Sequence, residues 1–239
     1  MEYQTLELRV EDGAARVRLN RPEVKNALNT LMRAELLHAV KLAEAEARVL
    51  VMTGAGDAFC SGQNLSDRGT AANIDIERTL RDEYTPLLRA IYECRIPVMA
   101  AVNGAAAGAG ASLALAADVV VASERAVFVQ AFSRIGLIPD AGSTYWLPRQ
   151  VGFAKAMGAA LFAEPISARQ AEAWGMIWEA VPDDGFEAHW RARMAQLAQG
   201  PTVTYGLVKK ALREGFDNNL DEQLALEARL QGKCGTTRD

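Results

Sequence analysis

The sequence predicts a mixed α/β protein with a largely parallel sheet, followed by a helical tail. An apolar run, a glycine-rich loop and a helical pattern follow one another twice, in residues 49–91 and 98–115. Beyond Asp140 the apolar residues recur mainly at helical spacing, and few stretches show the pattern of a strand. Alternating strands and helices are typical of parallel sheets covered by helices. We therefore expect stacked β-β-α units.

The composition limits the function. A chain of 239 residues, half of them hydrophobic, can bury a large core. The net charge of -4 argues against nucleic-acid binding, which uses clustered basic surface. Three widely spaced cysteines suit reduced thiols and packing roles. Residues 1–13 lack a signal-peptide pattern, and no apolar run approaches the roughly 20 residues that span a bilayer. We expect a soluble, cytoplasmic protein without a membrane partner.

The first elements follow from alternation and spacing. Residues 6–19 alternate around Asp12-Gly13, which indicates a β-hairpin with a tight turn. Apolar residues then recur at helical spacing from Asn29 or Thr30, either of which can cap the helix. Residues 49–53 read as a buried strand, and a second amphipathic helix is predicted over 76–91, where Pro86 is a possible kink.

The second half begins with a strand at 98–102 and a helix starting near Ala109. The predicted tail then consists of helix 155–162, helix 168–174 capped by Ser167, strand 177–181, and helices 186–197, 202–213 and 220–230. We divide the chain into a β-β-α core, 1–185, and a C-terminal helical region, 186–239.

Several familiar kinds of chemistry are poorly supported. The two histidines, His38 and His189, both lie in helical segments, which disfavours a metal site or a catalytic triad. Residues 110–114 lack the second glycine of a nucleophile elbow. Both glycine loops resemble a dinucleotide fingerprint, but Phe59 and Leu113 replace its third glycine. We therefore expect no metal and no nicotinamide or flavin cofactor.

The two glycine loops, 54–65 and 103–110, suggest another role. Two loops that each follow a strand can direct a pair of backbone N–H groups at one oxygen, and such a pair stabilises charge that develops on a carbonyl. Alternatively, the small residues only allow close packing of helix on strand. The residues alone leave both interpretations open.

Four segments resemble the crotonase, or enoyl-CoA hydratase/isomerase, superfamily. They are Asn20-Arg21-Pro22 with Asn26-Ala27-Leu28, GAGDAFCSGQNL, IPVMAAVNGAAAGAGASLALAADVVVAS and FVQAFSRIGLIPDAGSTYWLPRQVG. The resemblance runs from about Glu7 to Gly232. It implies a spiral of β-β-α units, a helical C-terminal region that forms trimers or dimers of trimers, and acyl-CoA thioesters as substrates, with no further cofactor.

The resemblance also assigns roles. It places the two oxyanion donors at the backbone N–H groups of Gln63 and Ala109. The two glutamates with which hydratases hold water correspond to Ser112 and Phe132, and neither residue can replace a carboxylate as acid or base. Asp140 corresponds to the catalytic aspartate of several isomerases and a dehalogenase. The residues alone favour Asp140 as the cap of a helix that begins just after it, since caps favour Asp, whereas the resemblance favours catalysis.

The surroundings of Asp140 and the substrate contacts are further predictions. We expect an apolar pocket for Asp140, formed by Phe132, Ile138 and Trp146, that makes it a stronger base. Arg21 and Lys25, and more weakly Arg68, are candidates for CoA phosphate contacts. The full set of predicted substrate contacts is Lys25, Ala27, Ser61, Gly62, Asn64, Leu65, Gly108 and Phe132. Family members usually continue into one more helix that covers the site.

The resemblance implies an isomerase that acts on ring-1,2-epoxyphenylacetyl-CoA or shifts double bonds in enoyl-CoA chains. A hydratase of fatty-acid or aromatic degradation is one alternative, and a non-catalytic acyl-CoA-binding homologue is another. A dehalogenase fits less well, because its aspartate works with a mid-chain histidine that His38 and His189 do not supply.

Overall fold

The fold comes from a computed structural model that describes residues 2–64 and 75–238. The strands are β1 (Leu6–Glu11), β2 (Ala14–Leu19), β3 (Val49–Gly54), β4 (Ala58–Cys60), β5 (Val98–Val102), β6 (Ala105–Ala107), β7 (Val119–Ser123), β8 (Val127–Val129), β9 (Ile166–Ser167) and β10 (Glu179–Val181). The helices are α1 (Thr30–Glu46), α2 (Ile76–Thr79), α3 (Thr85–Glu93), α4 (Ala109–Leu115), α5 (Ser143–Val151), α6 (Phe153–Phe162), α7 (Ala168–Ala173), α8 (Phe186–Gln199), α9 (Thr202–Glu214) and α10 (Leu220–Cys234).

The strands form two sheets, and the chain alternates between them. The larger sheet has the order β1-β2-β3-β5-β7-β10, and the smaller has the order β4-β6-β8-β9. Strands β3, β5 and β7 each lead directly to a short strand of the smaller sheet. The pairs β3–β5 and β5–β7 are parallel, as are β4–β6 and β6–β8. The predicted β-β-α units are therefore confirmed.

The first predicted elements are also confirmed. Strands β1 and β2 pair antiparallel around Asp12 and Gly13, which both have positive φ. The Asn29 side chain accepts a hydrogen bond from the Met32 N–H at 2.7 Å, so Asn29 is the cap of α1. Strand β3 is buried along its whole length, as its continuous apolar run predicts.

Glycine and asparagine build the corner where the chain leaves β5 for the smaller sheet. A Cβ on Gly104 would lie 1.9 Å from the Asp57 carbonyl oxygen, so only glycine fits there. The neighbouring Asn103 is buried and accepts a hydrogen bond from the Gly54 N–H at 3.0 Å. Its own amide donates to the Gly56 carbonyl at 3.1 Å. These contacts fix the two β-to-β corners against each other.

Sequence patterns missed several elements. The three-residue strands β4 and β6 lie in stretches interpreted as loops, and α5 was not predicted. Strand β10 begins at Glu179, two residues later than expected. The predicted helix over 76–91 contains a π-helical turn, Leu80–Tyr84, in which the Thr85 N–H donates to the Leu80 carbonyl. The π-helical turn ends at Tyr84, two residues before Pro86, which has no N–H to donate to the preceding turn.

The C-terminal helices pack in different ways. Phe186 and Trp190 of α8 are buried against Val49 and Val51 of the larger sheet. Helix α9 has no buried residue and is attached instead through polar contacts of Lys209 and Arg213. The division at residue 185 stays a prediction. In the described parts of the chain, no helix combines the length and apolarity needed to cross a bilayer.

Candidate active site

The backbone around Gln63 directs one N–H group away from its neighbouring strand. The Leu28 N–H donates to the Gly62 carbonyl at 2.7 Å, and the Asn64 N–H donates to the Leu28 carbonyl at 3.0 Å. In extended backbone, consecutive N–H groups point to opposite sides. The N–H of Gln63 therefore faces away from Leu28.

The start of α4 lies on that other side. A Cβ on Gly62 would lie 2.8 Å from the Ala107 carbonyl oxygen and 3.4 Å from the Ala109 nitrogen. Gly62 also has a φ of 96°, so it is required both for conformation and for space. Ala109 is the first residue of α4, where N–H groups have no acceptor within the helix. Gly110 brings α4 against β4, since its Cβ would lie 2.1 Å from the Cys60 carbonyl oxygen.

This arrangement is suited to binding a carbonyl oxygen between two loops. The loop that carries Gln63 and the start of α4 that carries Ala109 are in contact at Gly62. Among the described residues, none accepts a hydrogen bond from the Gln63 N–H. Paired N–H groups in a preorganised site stabilise an enolate or a tetrahedral oxyanion, and the loss of one donor typically costs about 100- to 1,000-fold in rate. The roles of both residues stay predictions.

Asp140 lies on the loop that leads from β8 to α5. Its carbonyl accepts hydrogen bonds from the Ser143 N–H at 2.9 Å and from Ser112 Oγ at 3.0 Å. Helix α5 is capped at Gly142 without a side-chain hydrogen bond, so the capping interpretation of Asp140 is wrong. Burial raises the pKa of the carboxyl to about 6, from an ordinary value of 3.8. Desolvation disfavours the charged form and makes the carboxylate a stronger base.

Ser112 and Phe132 both border this region without offering a group that titrates near neutral pH. Ser112 is fully buried in α4 and uses its hydroxyl to hold the Asp140 backbone. Phe132 is 7% exposed, and its ring lies 3.8 Å from the position a Cβ would take on Gly108. The ring therefore lies beside Gly108, the residue that precedes Ala109.

The predicted apolar pocket is only partly correct. Ile138 is 78% exposed and does not enclose the carboxyl of Asp140, which corrects that prediction. Trp146 lies against the loop instead, because a Cβ on Gly142 would meet its indole at 2.5 Å. Its ring stacks on Tyr92 with 5.3 Å between centroids.

The other predicted contacts lie in or against the turn after β2. Lys25 and Ser61 are exposed, and the Ser61 N–H donates to the Lys25 carbonyl at 2.9 Å. Ala27 is 7% exposed, as is Asn64. The Arg21 guanidinium donates to the Ala27 carbonyl at 2.8 Å and thereby supports the turn. Its contact with a CoA phosphate stays a prediction. The predicted contacts Leu65 and Arg68 lie outside the described residues.

Sequence reasoning missed a polar cluster behind Gln63. Arg33 on α1 is 2% exposed and donates to the Gln63 side-chain oxygen at 2.8 Å. Tyr84 donates to the same oxygen at 2.6 Å. Burial, with smaller contributions that include the charge of Asp140, raises the pKa of Tyr84. The signal available was weak, because a charged residue beside the apolar stripe of a helix normally faces water.

The described residues contain no group of three or more histidine, cysteine, aspartate or glutamate side chains placed to hold a metal ion. Both histidines have ordinary partners. His38 Nδ1 lies 2.7 Å from the Tyr3 hydroxyl, and His189 Nε2 lies 2.7 Å from Glu179.

Two sheets joined at glycine corners, with a short helix that begins beside the loop of Gly62, form a crotonase fold. A solved enoyl-CoA hydratase from Thermoplasma volcanium superposes with a TM-score of 0.91 at 30% identity, covering 98% of this chain and 93% of that one. One from Bacillus anthracis gives 0.90 at 28% identity, with coverage of 99% and 93%. Residues 9–239 match the enoyl-CoA hydratase/isomerase family, and the chain belongs to it.

Two relatives bear on the activity. A Rhodobacter capsulatus protein named "Probable enoyl-CoA hydratase" is 60% identical over 239 residues, which cover all of this chain and 93% of the relative. The 1,2-epoxyphenylacetyl-CoA isomerase of Escherichia coli is 44% identical over 235 residues, with coverage of 96% and 90%. The similarity thus extends to proteins named for either reaction.

Proposed function

We propose that the protein is an acyl-CoA isomerase with Asp140 as its single acid and base. One observation carries the proposal. The Asp140 carboxyl lies in a partly buried site with a pKa near 6, whereas the positions of the two hydratase glutamates hold Ser112 and Phe132. One carboxylate can move a proton between two carbons, but holding and splitting water for addition across a double bond uses two.

The proposed reaction moves a proton and conserves all atoms. The Asp140 carboxylate takes a proton from one carbon of the acyl group, and the electron pair moves to the thioester oxygen. The N–H groups of Gln63 and Ala109 donate to that oxygen and lower the energy of the enolate. Asp140 then returns the proton to another carbon. Opening a ring epoxide to a seven-membered oxepin is likewise an isomerisation, which the same groups could assist.

The favoured substrates are ring-1,2-epoxyphenylacetyl-CoA and 3-enoyl-CoA thioesters. The 44% identity to the Escherichia coli isomerase supports the first. A human protein named enoyl-CoA delta isomerase 2 is 32% identical over 97% of this chain and supports the second. Coenzyme A acts here as the carrier of the acyl group. Because the reaction needs neither an oxidant nor a Lewis acid, we propose that it requires no cofactor.

The test compares the wild type with Asp140→Asn on both substrates. The amide keeps the shape of the carboxyl but cannot act as a base, so we expect a loss of about 100-fold or more in kcat. Circular dichroism establishes that the variant is folded. Asp184→Asn, at an exposed position before α8, serves as the control for the same carboxyl-to-amide exchange away from the site. Activity of Asp140→Asn within a few-fold of the wild type would remove Asp140 from the mechanism.

Hydratase activity is the second candidate, favoured by the name of the 60% identical relative. Crotonyl-CoA given to the wild type separates the two reactions. We expect slow hydration or none, because Ser112 and Phe132 cannot hold and deprotonate water as carboxylates do. Fast hydration would overturn the isomerase assignment. Tight acyl-CoA binding without turnover of any of these thioesters would indicate a non-catalytic homologue.

A further inference from the structure

The guanidinium of Arg33 is a buried cation that pairs with Glu83 and directs one of its nitrogens, Nη1, at the backbone and side chain around Gln63. Nη1 donates to the Leu28 carbonyl and to Gln63 Oε1, each at 2.8 Å. Nη2 donates to Thr30 Oγ1 at 3.2 Å and to Glu83, and Nε donates to Glu83 at 3.0 Å. All five N–H groups of the guanidinium therefore donate hydrogen bonds.

These contacts hold both sides of one short bridge. The Leu28 carbonyl that Arg33 binds also accepts the Asn64 N–H, and Leu28 in turn donates to the Gly62 carbonyl. Gln63 lies between these two residues, and Arg33 holds its side chain as well. Hydrogen bonds thus hold Gln63 at three points: at the preceding residue Gly62, at the following residue Asn64, and at its own side chain.

Tyr84, from the π-helical turn before α3, also holds the side chain of Gln63. Its hydroxyl donates to Gln63 Oε1, and the Arg33 guanidinium lies 4.8 Å from the centre of its ring. Tyr84 belongs to the π-helical turn before α3, a departure from regular helix that often occurs at functional sites. The turn brings Tyr84 and Glu83 to the two sides of Arg33.

We propose that Arg33 is a positioning residue that fixes the Gln63 N–H for the thioester oxygen. The inference rests on the proposed function, since it needs an acyl-CoA in this site. A buried cation is costly, and apolar side chains could join α1 to the loop at least as well. What an arginine fork adds is geometry, because a rigid planar donor set orients its acceptors as an apolar contact cannot.

The expected defect is in polarisation of the substrate rather than in folding or affinity. A displaced donor no longer meets the oxygen on which charge develops, and errors of about 1 Å in such sites cost about 100-fold in rate. We therefore expect kcat to fall about 10- to 100-fold, with little change in KM, when the tie between Arg33 and Gln63 is removed.

Two variants remove this tie in different ways. Gln63→Met deletes the oxygen that accepts from both Arg33 and Tyr84, but it keeps the backbone N–H and the contacts of Arg33 with Leu28, Thr30 and Glu83. Arg33→Lys keeps the charge but has only three donors, which cannot serve all the present acceptors. Thr30→Val is the matched control, because it removes a hydrogen bond of the same guanidinium and leaves the tie to Gln63 intact. If Arg33→Lys fails to fold, Gln63→Met decides.

The readout is the carbonyl stretch of phenylacetyl-CoA, labelled with carbon-13 at the thioester carbon and bound at saturation. The wild type and Thr30→Val should lower this frequency relative to free ligand, and Gln63→Met and Arg33→Lys should lose at least half of the shift. A full shift in both tie variants, or folded variants that no longer bind, would overturn the positioning role while leaving the proposed function. Absence of any shift in the wild type would overturn the proposed function and the inference with it.

Discussion

At the scale of single residues, Asp140 sets a pH dependence. Burial raises the pKa of its carboxyl to about 6, and the proposed base is the ionised form. We therefore expect kcat/KM to fall about tenfold per pH unit below pH 6, because kcat/KM reports the ionisation of the free enzyme. The substrate should be a pantetheine thioester, since the phosphate monoester of CoA titrates near the same pH. A limb with its midpoint near pH 4 would contradict the assignment.

The same carboxyl should affect stability. Its pKa is higher in the folded state than in the unfolded state, so ionisation above pH 6 opposes folding, and this penalty disappears as the pH falls towards 4. Asp140→Asn removes the charge. We expect it to raise the free energy of unfolding at pH 8 by on the order of 1 kcal/mol, after allowance for the partial exposure of the carboxyl.

Thermal unfolding of both proteins at several pH values checks this expectation. The gain in melting temperature should amount to a few degrees at pH 8 and shrink progressively below pH 6. A variant that is equally destabilised at every pH would show that Asp140 mainly supports the loop. Serine at position 112 would then be a structural tie to that loop rather than part of a site.

At the scale of elements, α9 is attached to the core by charge instead of apolar packing. Lys209 Nζ lies 2.7 Å from Asp118 Oδ2 and donates to the Ile96 carbonyl at 2.9 Å. Arg213 binds the other oxygen of Asp118 at 2.5 Å. Burial raises the pKa of Asp118, although both cations oppose the shift. Loss of either cation would leave a buried carboxylate only half compensated.

We expect Lys209→Met to lower the free energy of unfolding by about 3 kcal/mol, a value at the low end for a broken buried pair because Arg213 stays. Hydrogen exchange should accelerate in α9 and α10 while β5 stays protected. Lys210→Met is the matched control, since Lys210 is 53% exposed and pairs with Glu214 along the same helix. Equal effects of the two variants would contradict the proposed attachment.

The elements that could be predicted from the sequence are those with a regular pattern of apolar residues or a recognisable helix cap. Strand β3 shows a continuous apolar run, and α1 and α7 have Asn29 and Ser167 as caps. Strands β4, with the sequence Ala-Phe-Cys, and β6, with three alanines, could not be predicted, because three residues are too few to show a period. They pair with each other beside the corner at Gly104. Asp140 was identified as a candidate catalytic residue because its position corresponds to that of the aspartate in the isomerases that the sequence resembles. Arg33 escaped notice because its burial depends on Glu83, fifty residues away.

At the scale of the whole molecule, apolar side chains remain exposed on α9, α10 and the turn between them. Leu212 is 69% exposed, Phe216 64% and Leu220 72%. A groove of about 430 Å³ lies between the two helices and is lined by Leu207, Val208, Ala211, Leu224 and Ala228 among others. Large exposed apolar patches are typical of surfaces that bind other proteins. That the C-terminal region joins copies of the chain as a trimer or a dimer of trimers stays a prediction.

Light scattering should therefore give a mass three or six times the 25.8 kDa of the chain. The double variant Leu212→Glu with Leu220→Glu places charges on the exposed apolar face and should dissociate the assembly, because unpaired charges buried in an interface are strongly destabilising. Phe162→Glu provides the comparison. Phe162 is 73% exposed on α6, outside the C-terminal helices. If Phe162→Glu dissociates the assembly and the double variant does not, copies associate through α6, and the role predicted for residues 186–239 is wrong.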